Sequence, residues 1–169
     1  MITRRASFLP TFLLLASPLC TRADESTENN ERVQNLIKIL SDKKESSHAR
    51  YKAAIILGNL RAQDAVKPLI DALKDEKQAV IRGAAYALGK LKASEAVQPL
   101  IDLLNRQNTS RVNNVCEITA AIKALAEIGG KKAIAGLEKF LTDNDKPENF
   151  VFNQYVHDEL REAIAGLKK

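Results

Sequence analysis

Apolar residues recur along this chain at three- and four-residue intervals, in short runs divided by turn-forming residues, the spacing of amphipathic α-helices. Val33, Leu36, Ile37 and Leu40 share one face of a helix over Glu31–Leu40. Polar Ser41–Ser47 predicts a turn, and Ala53, Ala54, Leu57 and Leu60 form the stripe of the next helix, Ala49–Leu60. Gln63 or Asp64 is expected to cap the helix in which Pro68 lies near the start, with Leu69, Ile70 and Leu73 inward. Asp75-Glu76-Lys77 predicts a short turn before Ala79–Leu91. Ser94 or Glu95 opens a strongly apolar helix carrying Leu100, Ile101, Leu103 and Leu104. Asn105–Asn114 loses the periodicity and is the longest expected internal loop. Helices then follow over Val115–Ile128, Lys131–Leu141 and Phe150–Leu167, divided by Gly129-Gly130 and by Asp143–Glu148.

These helices repeat. Pro68-Leu69-Ile70-Asp71 returns as Pro99-Leu100-Ile101-Asp102 at an offset of 31 residues. Leu57-Gly58-Asn59-Leu60 returns as Leu88-Gly89-Lys90-Leu91 at the same offset. Leu125-Ala126-Glu127-Ile128 and Ile164-Ala165-Gly166-Leu167 continue the series. A helical repeat of this length predicts a solenoid, in which each helix pair buries its apolar face only against its neighbours. Ala84, Ala85 and Ala87 keep side chains small where helices approach, and Leu88 and Leu91 fill the longer gaps. Gly89 fits close packing or the end of a helical turn.

Ile81-Arg82-Gly83-Ala84-Ala85-Tyr86-Ala87-Leu88-Gly89-Lys90-Leu91 resembles the second helix of the HEAT-like repeat family, particularly the short units named after phycobilin lyases. The resemblance extends over residues 31–169 and is strongest in this second unit. Elsewhere the Arg82 position holds Tyr51, Thr119 and Asp158, with Arg50 standing one residue early. The resemblance implies an all-α fold, a right-handed α-solenoid of about four HEAT-like helix pairs, and a role in binding other proteins. Some HEAT-like relatives act as bilin lyases, so an enzyme or enzyme accessory of that kind is an alternative. Nucleic-acid binding, known for helical-repeat folds, is another.

Charge narrows these options. The chain carries a formal charge of +5, but residues 1–23 contribute three arginines and no acid. That segment reads as an export signal: Arg4 and Arg5, then apolar Phe8–Ala16, then small residues Thr21 and Ala23 before a cut. Asp24–Asn30 would follow as a flexible leader. Removal of residues 1–23 leaves a charge of +2, too balanced to favour a nucleic-acid partner. The expected location is the bacterial periplasm or the exterior, with no stable membrane span in the mature chain. Leu19 and Ser17 before Cys20 depart from a lipoprotein pattern.

Candidate chemistry is sparse. His48 and His157 fall in the first and fourth units. His157-Asp158-Glu159 lacks a second His or Cys at ligand spacing. Asp71 and Asp102 occupy equivalent register positions, which favours helix-end electrostatics or contacts with Arg82 over a catalytic pair. Gly129-Gly130-Lys131-Lys132 lacks the strand and the Lys-Ser/Thr of a phosphate loop. Cys116, left without Cys20, is expected as a buried free thiol, with an interchain disulfide or a chromophore link as alternatives. No catalytic residue, metal site or cofactor is assigned. The variable surface of the second helices is the functional candidate: one column of Ile55, Tyr86, Lys123 and Glu162, another containing Lys90 and Glu127. Tyr86 is the expected anchor of a protein-binding face. The expected function is thus an exported, non-catalytic scaffold or adaptor.

Overall fold

Eight α-helices appear among the residues described by the computed structural model, which are 18–109, 115–144 and 154–168. They are α1 Pro18–Ser41, α2 Ser47–Asn59, α3 Val66–Ala72, α4 Gln78–Lys90, α5 Val97–Thr109, α6 Val115–Ile128, α7 Lys131–Asn144 and α8 Gln154–Leu167. Successive helices pair as α1/α2, α3/α4, α5/α6 and α7/α8, and the second helices stack in the order α2, α4, α6, α8. The arrangement is that of stacked pairs in a right-handed HEAT-like solenoid. Leu57, Leu69, Leu88, Leu100, Leu125 and Leu137 are each completely buried in one continuous core. Ala53, Ala54, Ala84 and Ala85 face inward, as their spacing required.

Small residues set the distance between stacked helices. A Cβ at Gly58 would stand 2.7 Å from the Cα of Ala87, and one at Gly89 would stand 3.0 Å from the Cα of Ala124. The glycines of the repeated tetrapeptide therefore serve close approach inside α2 and α4. Neither ends its helix. Chain reversal follows instead at Arg61, Lys92 and Gly129, all with positive φ. Ala62 N–H donates to Leu57 O and Ala93 N–H to Leu88 O, which closes a Schellman cap on each helix. Glycine tolerates this backbone best, yet the first two repeats place a basic side chain there, beside the helix's partly negative end.

Four expectations change. Asp24–Asn30 lies within α1 instead of forming a flexible leader. Its sequence carries no apolar stripe, so periodicity could not reveal the helix; Thr27–Asn30 are exposed. Next, α5 continues through Thr109, so only residues 110–114 of the expected loop lie outside the described helices. Neither Gln63 nor Asp64 caps α3; a 3-10 turn at Gln63–Ala65 leads directly into it. Finally, Cys116 is exposed, because the inward position in the first turn of α6 is taken by its neighbour Glu117.

Glu117 is 1% exposed, and its Oε2 has no hydrogen-bond partner among the described residues. Its repeat equivalents, Val80 and Val156, are buried valines. An unsatisfied buried acceptor costs about 1–3 kcal/mol. A carboxylate near a helix N-terminus returns about 0.3–1 kcal/mol. Glu117→Val is therefore expected to raise stability by about 1–2 kcal/mol, read as a higher urea midpoint at unchanged slope. A lower midpoint would show that the core needs the carboxylate.

Candidate interaction surface

The solvent stripe of α4 consists of Arg82, Tyr86 and Lys90, one helical turn apart and all exposed. Positions 80, 81, 84, 85 and 88 of the same helix point into the core, which fixes the stripe outward. Tyr86 keeps 39% of its surface accessible, and its hydroxyl donates to Asn59 Oδ1 on α2 at 3.4 Å. Lys90 Nζ lies 5.5 Å from the centroid of the Tyr86 ring and 3.5 Å from Glu127 Oε1 on α6. Lys123 Nζ on α6 reaches Glu159 Oε1 on α8 at 3.4 Å. A chain of contacts thus crosses the second helices from α2 to α8. Exposed ion pairs of this kind contribute about 0–1 kcal/mol, so they organise the surface more than they stabilise the fold.

The fold places Tyr86, Lys90, Lys123, Glu127 and Glu162 on this one layer, all exposed. Ile55 departs from the column. It is half-buried on α2, so it contributes less accessible surface than its register position promised. Glu162 borders a depression of about 400 Å3 between α6 and α8, shared with Lys123, Ala126 and Glu159. Ala126 stands where earlier repeats have Gly58 and Gly89.

The other singled-out groups do not converge. His48 stacks on Tyr51 with ring centroids 6.5 Å apart, far along the chain of repeats from His157. Asp102 accepts from Gln98 on its own helix, and Asp71 is exposed; neither meets Arg82. Among the described residues, no three His, Cys, Asp or Glu side chains are grouped to hold a metal ion. No helix among them is long and apolar enough to cross a membrane.

Sequence reasoning missed one buried polar cluster. Asp75, in the turn before α4, accepts from Lys43 Nζ at 2.7 Å and from Arg50 Nη1, while its second oxygen accepts from Lys77 N–H at 2.9 Å. The Arg50 and Asp75 side chains are 5% and 3% exposed. Burial alone would raise the Asp75 carboxyl. The hydrogen bonds from Lys43, Arg50 and the Lys77 amide, with the Arg50 charge, outweigh it and hold the pKa at about 2. Arg50 standing one residue ahead of the Arg82 register was the available signal: the shift turns the guanidinium inward.

A family model of HEAT repeats matches residues 33–120, just over half of the chain. The chain belongs to the HEAT-repeat family. A model of the PBS lyase HEAT-like repeat matches residues 119–143, across α6 and α7. No curated protein matches this HEAT-repeat chain. The fold is one typical of protein–protein interaction scaffolds, and no catalytic constellation occurs among the described residues.

Proposed function

We propose that this HEAT-repeat protein is an exported, non-catalytic adaptor that binds another protein through the exposed layer of α2, α4, α6 and α8. The observation that carries the reading is Tyr86. It is a large amphipathic side chain, exposed at the middle of a rigid helical layer and held by Asn59 and Lys90. Aromatic side chains so presented bury much area for little lost conformational freedom. Lys90, Lys123, Glu127 and Glu162 would surround the anchor with charge, and Ile55 would extend its apolar edge. The export half rests on the basic start and apolar Phe8–Ala16 ahead of Ala23.

Crosslinking and affinity capture from the native cell envelope test both halves. Tyr86→Ala combined with Lys90→Glu is expected to weaken a captured complex by tenfold or more, about 1.4 kcal/mol or above. A control pair on the opposite layer, Lys67→Ala with Asp71→Ala, should leave capture unchanged. Equal loss from both pairs would remove the face from consideration. Sequencing of the purified protein's N-terminus is expected to begin at Asp24; an intact Met1 would overturn export by cleavage.

A further inference from the structure

Two seams between stacked second helices are spanned on their outer side. The Tyr86 hydroxyl crosses from α4 to Asn59 on α2, and Lys90 on α4 reaches Glu127 on α6. Asn59, Lys90, Glu127 and Gly166 hold one register, each two residues after the aliphatic residue that opens the repeated tetrapeptide. Between α6 and α8 this register sets Glu127 beside Gly166, which has no side chain to meet it. A Cβ at Gly166 would find nothing within 4 Å, and Gly166 lines the depression of about 400 Å3 between these helices.

The lining has two chemically distinct parts. Ala126, Ala163 and Leu167 form an apolar floor, each of them half-buried. Glu159 and Glu162 stand three residues apart on α8, so their carboxylates share one side of the opening. Lys123 on α6 supplies the counter-charge within the lining, and it is directed to Glu159 at 3.4 Å. No ion pair joins Glu162 to a described residue. Arg161 lies one position earlier, about 100° around the helix, and Lys168 is paired with Glu138 on α7. The opening thus carries excess negative charge above an apolar base.

We propose that this depression takes an arginine side chain of the bound partner protein. Arginine lays an apolar stem on apolar surface and keeps its charged head in water, which suits a half-buried floor beneath an open rim. Its planar guanidinium presents several donors in a fixed fork, so it serves Glu162 and also shares Glu159 with Lys123. A lysine ammonium is a point charge and bridges two carboxylates less well. An apolar side chain would strip water from Glu162 and return no partner, and an acidic one would be repelled. The proposal rests on the adaptor reading, since the depression opens on the same exposed layer as Tyr86, and it names the chemistry that the partner brings there.

An amide NMR titration of the purified protein with capped tripeptides, Gly-X-Gly with X arginine, lysine, leucine or aspartate, is the test. The arginine peptide is expected to move the signals of Ala126, Ala163 and Gly166 with millimolar affinity, and the lysine peptide to bind about threefold more weakly. Glu162→Gln should weaken the arginine peptide about threefold, the scale of one exposed ion pair. Gly166→Gln lays a long neutral side chain over the opening and is expected to abolish binding. Glutamine there replaces a helical glycine with open space around it, so this variant should melt no lower than the wild type. Arginine-selective shifts that vanish in Gly166→Gln support the proposal. No binding, equal binding of the lysine or leucine peptide, or shifts that persist in Gly166→Gln overturn it. The adaptor reading is judged apart, by capture from the cell envelope. A captured partner that depends on Tyr86 and Lys90 but not on Gly166 keeps that reading and overturns the arginine site. Arginine-selective peptide binding with no partner captured fails the adaptor reading alone.

Discussion

Asp75→Ala is expected to lower the free energy of unfolding by about 3–5 kcal/mol. The cost does not come from the lost ion pair as such. Arg50 lies on α2, almost wholly buried, and its guanidinium remains inside when its anion is removed. An uncompensated buried charge is far more costly than the pair it replaces. The same substitution frees the Lys77 amide, whose bond to Asp75 shapes the turn into α4. Asp75 thus ties the first repeat to the second at two points.

A pH dependence follows with a definite sign. The folded-state pKa of about 2 lies below the ordinary value of 3.8, so the unfolded chain takes up a proton first as pH falls. The Asp75 contribution is full above about 3.8 and is lost as pH falls through about 2. Asp75→Asn removes this titration while keeping the shape of the side chain. Urea denaturation of both proteins between pH 5 and pH 2 should show a steeper loss for the wild type. Parallel curves would mean that the carboxylate is not held low by Lys43 and Arg50.

Gly58→Ala is the second large effect, and its sign runs against helix propensity. In a solvent-exposed helix interior, alanine improves on glycine by about 1 kcal/mol. Here the new methyl would stand 2.7 Å from the Cα of Ala87 and 2.9 Å from its Cβ. Neither atom can rotate away, so α2 and α4 must separate. Overpacking of this kind costs about 1–3 kcal/mol in a well-packed core. Added strain in two rigid helices places this case at the upper end, for a net loss of about 2 kcal/mol. A thermal melt decides it: a raised melting temperature would show that the seam between the repeats is loose. Gly166→Ala is the control, since a methyl there meets nothing within 4 Å.

The register of the repeats carried most of the fold. Pro68 returning at Pro99, and the Leu-Gly-x-Leu series continuing at Leu125, announce stacked helix pairs because a single amphipathic pair cannot bury its own face. The boundaries of α6 at Val115 and Ile128 followed from periodicity alone. Failure came where apolar periodicity is silent. Asp24–Asn30 and Asn105–Thr109 are helical although their sequence carries no apolar stripe for periodicity to register.

The candidate surface divides in the same way. Its membership was readable in the sequence, because a residue two positions from a buried alanine or leucine lies about 200° around the helix and must face outward once the helix is placed. That identifies Tyr86, Lys90, Lys123, Glu127 and Glu162 from spacing alone. Which of them touch required the tertiary structure: the Lys90–Glu127 and Lys123–Glu159 pairs depend on how far stacked helices turn and slide. The same holds inside. A shift of one residue rotates a side chain by about 100° around a helix, and it took Arg50 from the surface register to a buried partner 25 residues away. Sequence by itself determined the apolar-striped helices, their pairing and the outward columns apart from Ile55, because periodicity and its repeat govern all three. Only the tertiary structure decided that Glu117 is buried, that Cys116 is exposed and that Asp75 joins two repeats. Those outcomes depend on distances between helices, which no local pattern encodes.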